Sequence, residues 1–218
     1  MNLNIESILP ITIIALTAIT SIKGFSDMNF FDRYKFNVGA ILGKSKQWDR
    51  LITSATLHGD YMHLIFNMMT LYFFSDVIIL TFGIWKYLAI YFLSIIGGGL
   101  LALWVHRKEY YYSAIGASGG VVGILFAAIA LYPDMTLGIM FILPMKGWIF
   151  GIAYLAYSIY GMQTRQGNIG HDSHLGGAAI GLVMAILFEP MILKVNTLYI
   201  GIMILPLIVL AYLVLKKK

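Results

Sequence analysis

The chain has 218 residues, of which 60% are apolar and only 11% charged, under half the roughly 25% usual in soluble domains. So few polar side chains cannot cover a water-soluble protein of this size, and the apolar residues fall in long blocks, which excludes a soluble globule and predicts a polytopic membrane protein. The net charge of +5 lies on no dense basic run joined to exposed aromatics, so it points to lipid head groups and not to nucleic acid, while the lack of cysteine excludes disulfides, thiolate metal sites and a cysteine nucleophile.

A membrane-crossing helix needs about 20 apolar residues to cover roughly 30 Å of hydrocarbon. The N-terminus, MNLNIESILP, lacks a basic n-region, so the first apolar stretch, about Ile8 to Ile22, is expected to be a retained helix. A mixed loop, Lys23 to about Thr56, carries most of the charge and the aromatics Phe25, Phe30, Phe31, Tyr34, Phe36 and Trp48, a composition expected partly in the interface. Further spans are predicted at about Tyr61 to Leu80, Lys86 to Val105 and Gly116 to Tyr132, the last ended by Pro133. Met135 to Leu143 is apolar but too short to span, and leads through Pro144 to a fifth helix, about Gly147 to Met162. A sixth covers about His171 to Phe188, and Thr197 to Leu215, before Lys216, Lys217 and Lys218, is apolar enough for a seventh.

Ionisable and polar groups in membrane spans are costly, and so are functional candidates. The second span opens with His58, Asp60, His63 and Asn67; the fourth with GASGGVVG, Gly116 to Gly123; the sixth with HDSHLGGAAIG, His171 to Gly181. Counting crossings puts the starts of all three on the side of the long first loop, where they can meet. His63 and Asn67, four apart, share a helical face. Ser118 falls in a first helical turn, where backbone N–H groups lack intrahelical partners and can serve an anion. Gly119 with Gly123, and Gly177 with Gly181, form two small-residue faces that let their helices approach closely, and His174, three before Gly177, lies on that packed face.

A serine hydroxyl becomes a useful nucleophile when a base within hydrogen-bond reach takes its proton, which neutral imidazole does near pH 7. Ser118 and His174 are therefore a candidate dyad. Asp172, two residues from His174, does not share its face and is not expected to complete a triad. His63, Asn67 and the Ser118 N–H are candidate donors to the oxyanion of a tetrahedral intermediate.

These residues resemble the rhomboid family of intramembrane serine proteases. The likeness rests on QWDRLITS (Gln47 to Ser54, with Trp48 and Arg50), His58-x4-His63-x3-Asn67, Gly116-Ala117-Ser118-Gly119 with Gly123, and His174-x2-Gly177-x3-Gly181, running from about residue 47 to 181. It implies an all-α, six-helix membrane core, placed within 1–190, and the seventh apolar segment lies outside that core, as an added helix and basic tail over 191–218. It further implies Ser118 as nucleophile, His174 as base, His63 and Asn67 in the oxyanion hole, and no cofactor or metal. Transmembrane protein segments would be cut near the outer face of the plasma membrane, with the fifth helix and the loop after it as gate and cap. An aromatic often found four residues after the serine is Val122 here, so stacking on the histidine is expected to be weaker.

The likeness implies an N-terminus on the inner side, against the positive-inside rule. That placement puts Lys23, Arg33, Lys35, Lys44, Lys46, Arg50, Arg107, Lys108, Arg165 and the three terminal lysines outside, and Lys86, Lys146 and Lys194 inside. The motif match is the more specific signal, and the long loop is interfacial. His58 is expected to hydrogen-bond the first loop, His171 to neighbour the site without a chemical step, and His106 to be ordinary interfacial charge. Trp48 and Arg50 are expected to fix the loop. Rival readings are an inactive relative that binds client helices, a metalloenzyme using His58, His63, His171 and His174, and a transporter. The absence of HExxH and of paired broken helices argues against the last two.

Overall fold

The structure is a computed structural model in which residues 5–139, 143–164 and 170–216 are described. Arg165, Lys217, Lys218 and nearly all of the expected cap loop lie outside the described residues. Helix α1 (Ile5–Ser26) outruns the predicted first span at both ends.

The segment after it is a folded unit and not an open loop. It holds α2 (Met28–Tyr34), β1 (Phe36–Asn37), α3 (Val38–Leu42) and α4 (Arg50–Thr53), followed by a 3-10 turn, Ser54–Thr56. The first two of these short helices start where a side chain accepts an orphan amide: Asp27 takes the Phe30 N–H and Asn37 that of Ala40. Buried Arg50 ties the unit together, donating to Gln47 Oε1 at 2.6 Å and to the carbonyls of Asp32 and Lys35 at 2.9 and 2.6 Å. Trp48, expected to share that task, is 47% exposed and bonds locally through its backbone, its N–H donating to the Lys46 carbonyl and its own carbonyl accepting from the Leu51 N–H.

Helix α5 (Tyr61–Phe82) is N-capped by Asp60, which accepts the His63 N–H at 2.8 Å, and it ends at Gly83, whose φ of 80° turns the chain into α6 (Ile84–Val105). Strand β2 (Ser113–Ala114) pairs antiparallel with β1, Phe36 opposite Ala114, and so fastens the first-loop unit to the chain just before the central helix. That helix, α7 (Ser118–Leu131), is apolar all round, and every residue from Gly119 to Ala130 is buried. Its 14 residues rise only about 21 Å, less than the hydrocarbon thickness, so an end of it lies within the depth its longer neighbours cross.

The apolar stretch after Pro133 forms an antiparallel hairpin, β3 (Thr136–Ile139) with β4 (Leu143–Lys146), Thr136 opposite Lys146. Cross-strand pairing satisfies backbone groups that a stretch too short to span would otherwise expose. Helices α8 (Gly147–Thr164), α9 (His171–Phe188), α10 (Ile192–Val195) and α11 (Thr197–Lys216) complete the chain. Among the described residues, α1, α5, α6, α9 and α11 are long and apolar enough to cross a membrane. The protein is an all-α polytopic membrane protein.

Glycines set the spacing at its centre. A Cβ on Gly177 would collide with the Gly119 carbonyl oxygen, and one on Gly181 with that of Gly123, so α9 lies directly against α7. Gly176 meets Gly98 of α6 in the same way, a methyl there falling 2.8 Å from the Gly98 Cα. Helix α11 backs α8 through the Trp148 and Tyr199 rings, 5.9 Å apart, and Asn196 donates from Nδ2 to the carbonyls of Ala130 and Leu131, closing the C-terminal end of α7.

Candidate active site

The starts of α5, α7 and α9 converge on one point. Ser118 is the first residue of α7, an end that no side chain caps, so first-turn N–H groups face outward beside its hydroxyl. From α9, His174 brings Nε2 to 2.7 Å from Ser118 Oγ, a length at which the hydroxyl donates to a neutral imidazole. The glycine contacts make this possible, since any side chain at Gly177, one turn beyond His174, would hold the backbones apart.

Before the serine, the backbone turns at Gly116, where φ is 121°, a left-handed conformation that costs glycine little. The His63 imidazole stands over this glycine: a Cβ there would lie 2.9 Å from its Nε2 and 3.7 Å from Ser118 Oγ. The turn is fixed twice. The Gly116 N–H donates to the Ser54 carbonyl at 3.0 Å, and the Ala117 N–H to His58 Nε2 at 3.4 Å.

Residues 45–190 match the Rhomboid domain model. The chain belongs to the rhomboid family. RHOMBOID-like protein 12, mitochondrial, of Arabidopsis thaliana is 32% identical over 155 residues, 64% of this chain and 46% of the plant protein. Rhomboid protein 1, mitochondrial, of Saccharomyces cerevisiae is 30% identical over 138 residues, 61% of this chain and 40% of the yeast protein. Rhomboid protease AarA of Providencia stuartii is 27% identical over 165 residues, 67% of this chain and 58% of that protein. The chain thus spans about half the length of the curated relatives it matches. The mitochondrial names give the expected plasma-membrane location no support.

Several polar residues of this rhomboid sit otherwise than their sequence positions suggest. Asn67 is buried and donates from Nδ2 to the His63 carbonyl at 3.0 Å, so its amide has an acceptor within its own helix, and its depth alone does not require an anion. His58 bonds helix α1 and not the loop directly: its Nδ1 pairs with Ser21 Oγ at 2.9 Å, and that hydroxyl in turn reaches the Thr56 carbonyl. Burial pushes the His58 pKa down to about 3, so the ring is neutral, with Nδ1–H donating to Ser21 and Nε2 accepting from Ala117.

His106 is not ordinary interfacial charge. Its Nε2 lies 3.2 Å from Asp172 Oδ2, its Nδ1 3.1 Å from Glu109 Oε2, and its ring stacks on Tyr112, whose hydroxyl donates to Asp172. Asp172 therefore faces α6 and not His174. His171 is buried and packs edge-on against Tyr157 of α8 at 5.3 Å. Sequence reasoning missed Tyr154, whose ring stacks on His174 at 5.9 Å and 27°; it lies in an aromatic-rich helix, and no local pattern marks which ring faces His174. Among the described residues no three His, Cys, Asp or Glu side chains are disposed to hold a metal ion.

Proposed function

We propose that this rhomboid is an intramembrane serine endopeptidase acting through a Ser118–His174 dyad, with its catalytic unit in residues 1–190 and an added helix in 191–218. The observation that carries the reading is the 2.7 Å approach of His174 Nε2 to Ser118 Oγ at the uncapped start of α7. His174 takes the hydroxyl proton as Oγ attacks the scissile carbonyl, then returns it to the leaving amine, and water hydrolyses the acyl-enzyme by the same base. The Ser118 N–H, His63 and the second Asn67 amide hydrogen are the donors proposed for the oxyanion.

Substrates are proposed to be transmembrane segments of proteins, cut near the extracytoplasmic face. An apolar groove of about 510 Å³ between α5 and α8, lined by Phe66, Phe73, Leu125 and Phe150, suits a hydrophobic segment arriving from lipid. Both dyad residues being present at bonding distance favours an enzyme over a client-binding relative.

The test is purified protein in detergent with a generic transmembrane substrate. Wild type should cleave, and Ser118→Ala and His174→Ala should each lose on the order of 10⁴-fold or more, the double variant losing no more than either. A double variant that cleaves near the wild-type rate overturns the reading. For sidedness, a cysteine replacing exposed Lys44 should react with a membrane-impermeant thiol reagent in intact cells or organelles; protection until lysis would reverse the orientation.

A further inference from the structure

A base held by one hydrogen bond can still swing about it. Among the described residues, the His174 imidazole bonds through Nε2 to Ser118, and its ring meets two others, the Tyr154 face at 5.9 Å and the His171 edge at 6.2 Å. Val122, one turn beyond Ser118 on α7, brings no ring to it. Tyr154 is itself braced: Phe150, one turn earlier on α8, stacks on it at 5.6 Å and 26°, and Phe126 of α7 lies tilted against it at 6.0 Å.

We propose that Tyr154, carried by α8, fixes the plane of the His174 imidazole and so acts as a positioning residue for the base. The inference rests on the dyad reading above. Offset stacking of a phenol on an imidazole restrains tilt without competing for either ring nitrogen, which leaves Nε2 free to exchange its proton with Ser118. The helix carrying the ring also lines the apolar groove, through Phe150. Displacement of that wall by a substrate segment and orientation of the base therefore act on one element.

The experiment compares full-length wild type, Tyr154→Phe, Tyr154→Leu and Tyr154→Met in detergent. It measures kcat and KM for the transmembrane substrate, the rate at which a small fluorophosphonate labels Ser118, and Tm. Ser118 also lines a cavity with Ser54, Ile115 and Gly116 that shares no lining residue with the groove, so labelling by a small probe separates base orientation from substrate passage. Tyr154→Phe, which keeps the ring, should keep wild-type kcat. Leu and Met should lower kcat on the order of 10- to 10²-fold, as a small misplacement of a catalytic group does, with KM and Tm held and labelling slowed in parallel. Wild-type kcat in a folded Leu or Met variant overturns the inference. So does loss of cleavage with unchanged labelling, or a loss in Phe equal to that in Leu. Should Leu and Met both unfold, the labelling rate of Tyr154→Ile, measured below its Tm, decides, a rate far below that of Tyr154→Phe supporting the ring contact and an equal one overturning it. A wild type that neither cleaves nor labels, or a Ser118→Ala variant that cleaves normally, is failure of the dyad reading itself.

Discussion

Asp172 Oδ2 lies 3.2 Å from His106 Nε2, so the carboxylate two residues before His174 belongs to the junction between α6 and α9 and not to the dyad. Asp172 is 3% exposed, and Glu109 and the Tyr112 hydroxyl complete the cluster around the imidazole. A buried carboxylate with these partners anchors the first turn of the helix that carries His174.

Burial lowers the His106 pKa, and the hydrogen bonds and charges of Asp172 and Glu109 raise it by more, so the net shift is upward. A histidine whose folded pKa is raised contributes stability in full below its unfolded value of about 6.5, and loses it as pH rises through the folded value. Wild-type Tm in detergent should therefore fall relative to His106→Gln as pH rises from about 6.5 to 8.5, a window set by that reference value and the upward direction. Parallel curves would mean that His106 does not titrate in the fold.

His58 has the opposite sign. Its folded pKa of about 3 lies below the unfolded value, so between the two the unfolded chain binds the extra proton and stability falls as the solution is acidified. His58→Phe should lower Tm at pH 7.5, because Ser21 and Ala117 lose their partner, yet flatten the acid limb below about pH 6.5. An acid limb as steep as wild type would assign the acid sensitivity elsewhere.

The glycine seam makes a position-specific prediction. Gly177→Ala places a methyl against the Gly119 carbonyl and should cost about 1–3 kcal/mol and much of the activity, since the dyad depends on the same approach. At Gly119 the nearest atoms to an added methyl, the Ser173 and Ser94 carbonyls, stand at 3.5 Å, so Gly119→Ala should fold and cleave nearly as wild type. Thermal unfolding with activity assays separates the two, and equal effects would show that α7 and α9 pack differently.

For Asn67, one amide hydrogen is engaged by the His63 carbonyl and the other is proposed for the anion. Asn67→Ala should lower kcat by up to about 10²-fold with KM nearly unchanged, the low end of the range for losing one oxyanion donor, because His63 and the Ser118 N–H remain. His58→Ala in a folded protein should cost less kcat than this. A rise in KM at constant kcat for Asn67→Ala would remove it from the oxyanion hole.

Composition alone settled that this chain lives in a membrane, because 60% apolar residues in blocks have no other stable solvent. Small-residue spacing and the order of the polar clusters were enough to bring α5, α7 and α9 to one point, since helical periodicity fixes faces and the crossing count fixes sides. That Arg50 fixes the segment from Lys23 to Thr56 was legible, but which turns it joins was not, because its bonds go to the carbonyls of Asp32 and Lys35, a group every residue type possesses. Nor was the hairpin at β3 and β4, where a short apolar run satisfies either helix or strand patterns until its partner is known. Contacts made by side chains from distant helices, Tyr154 on His174, His106 with Asp172 and His58 between Ser21 and Ala117, were decided by the tertiary structure alone. Rings and carboxylates have no local period that names their partners, and only the distance between helices, set by backbones meeting at glycine, determines which of them touch.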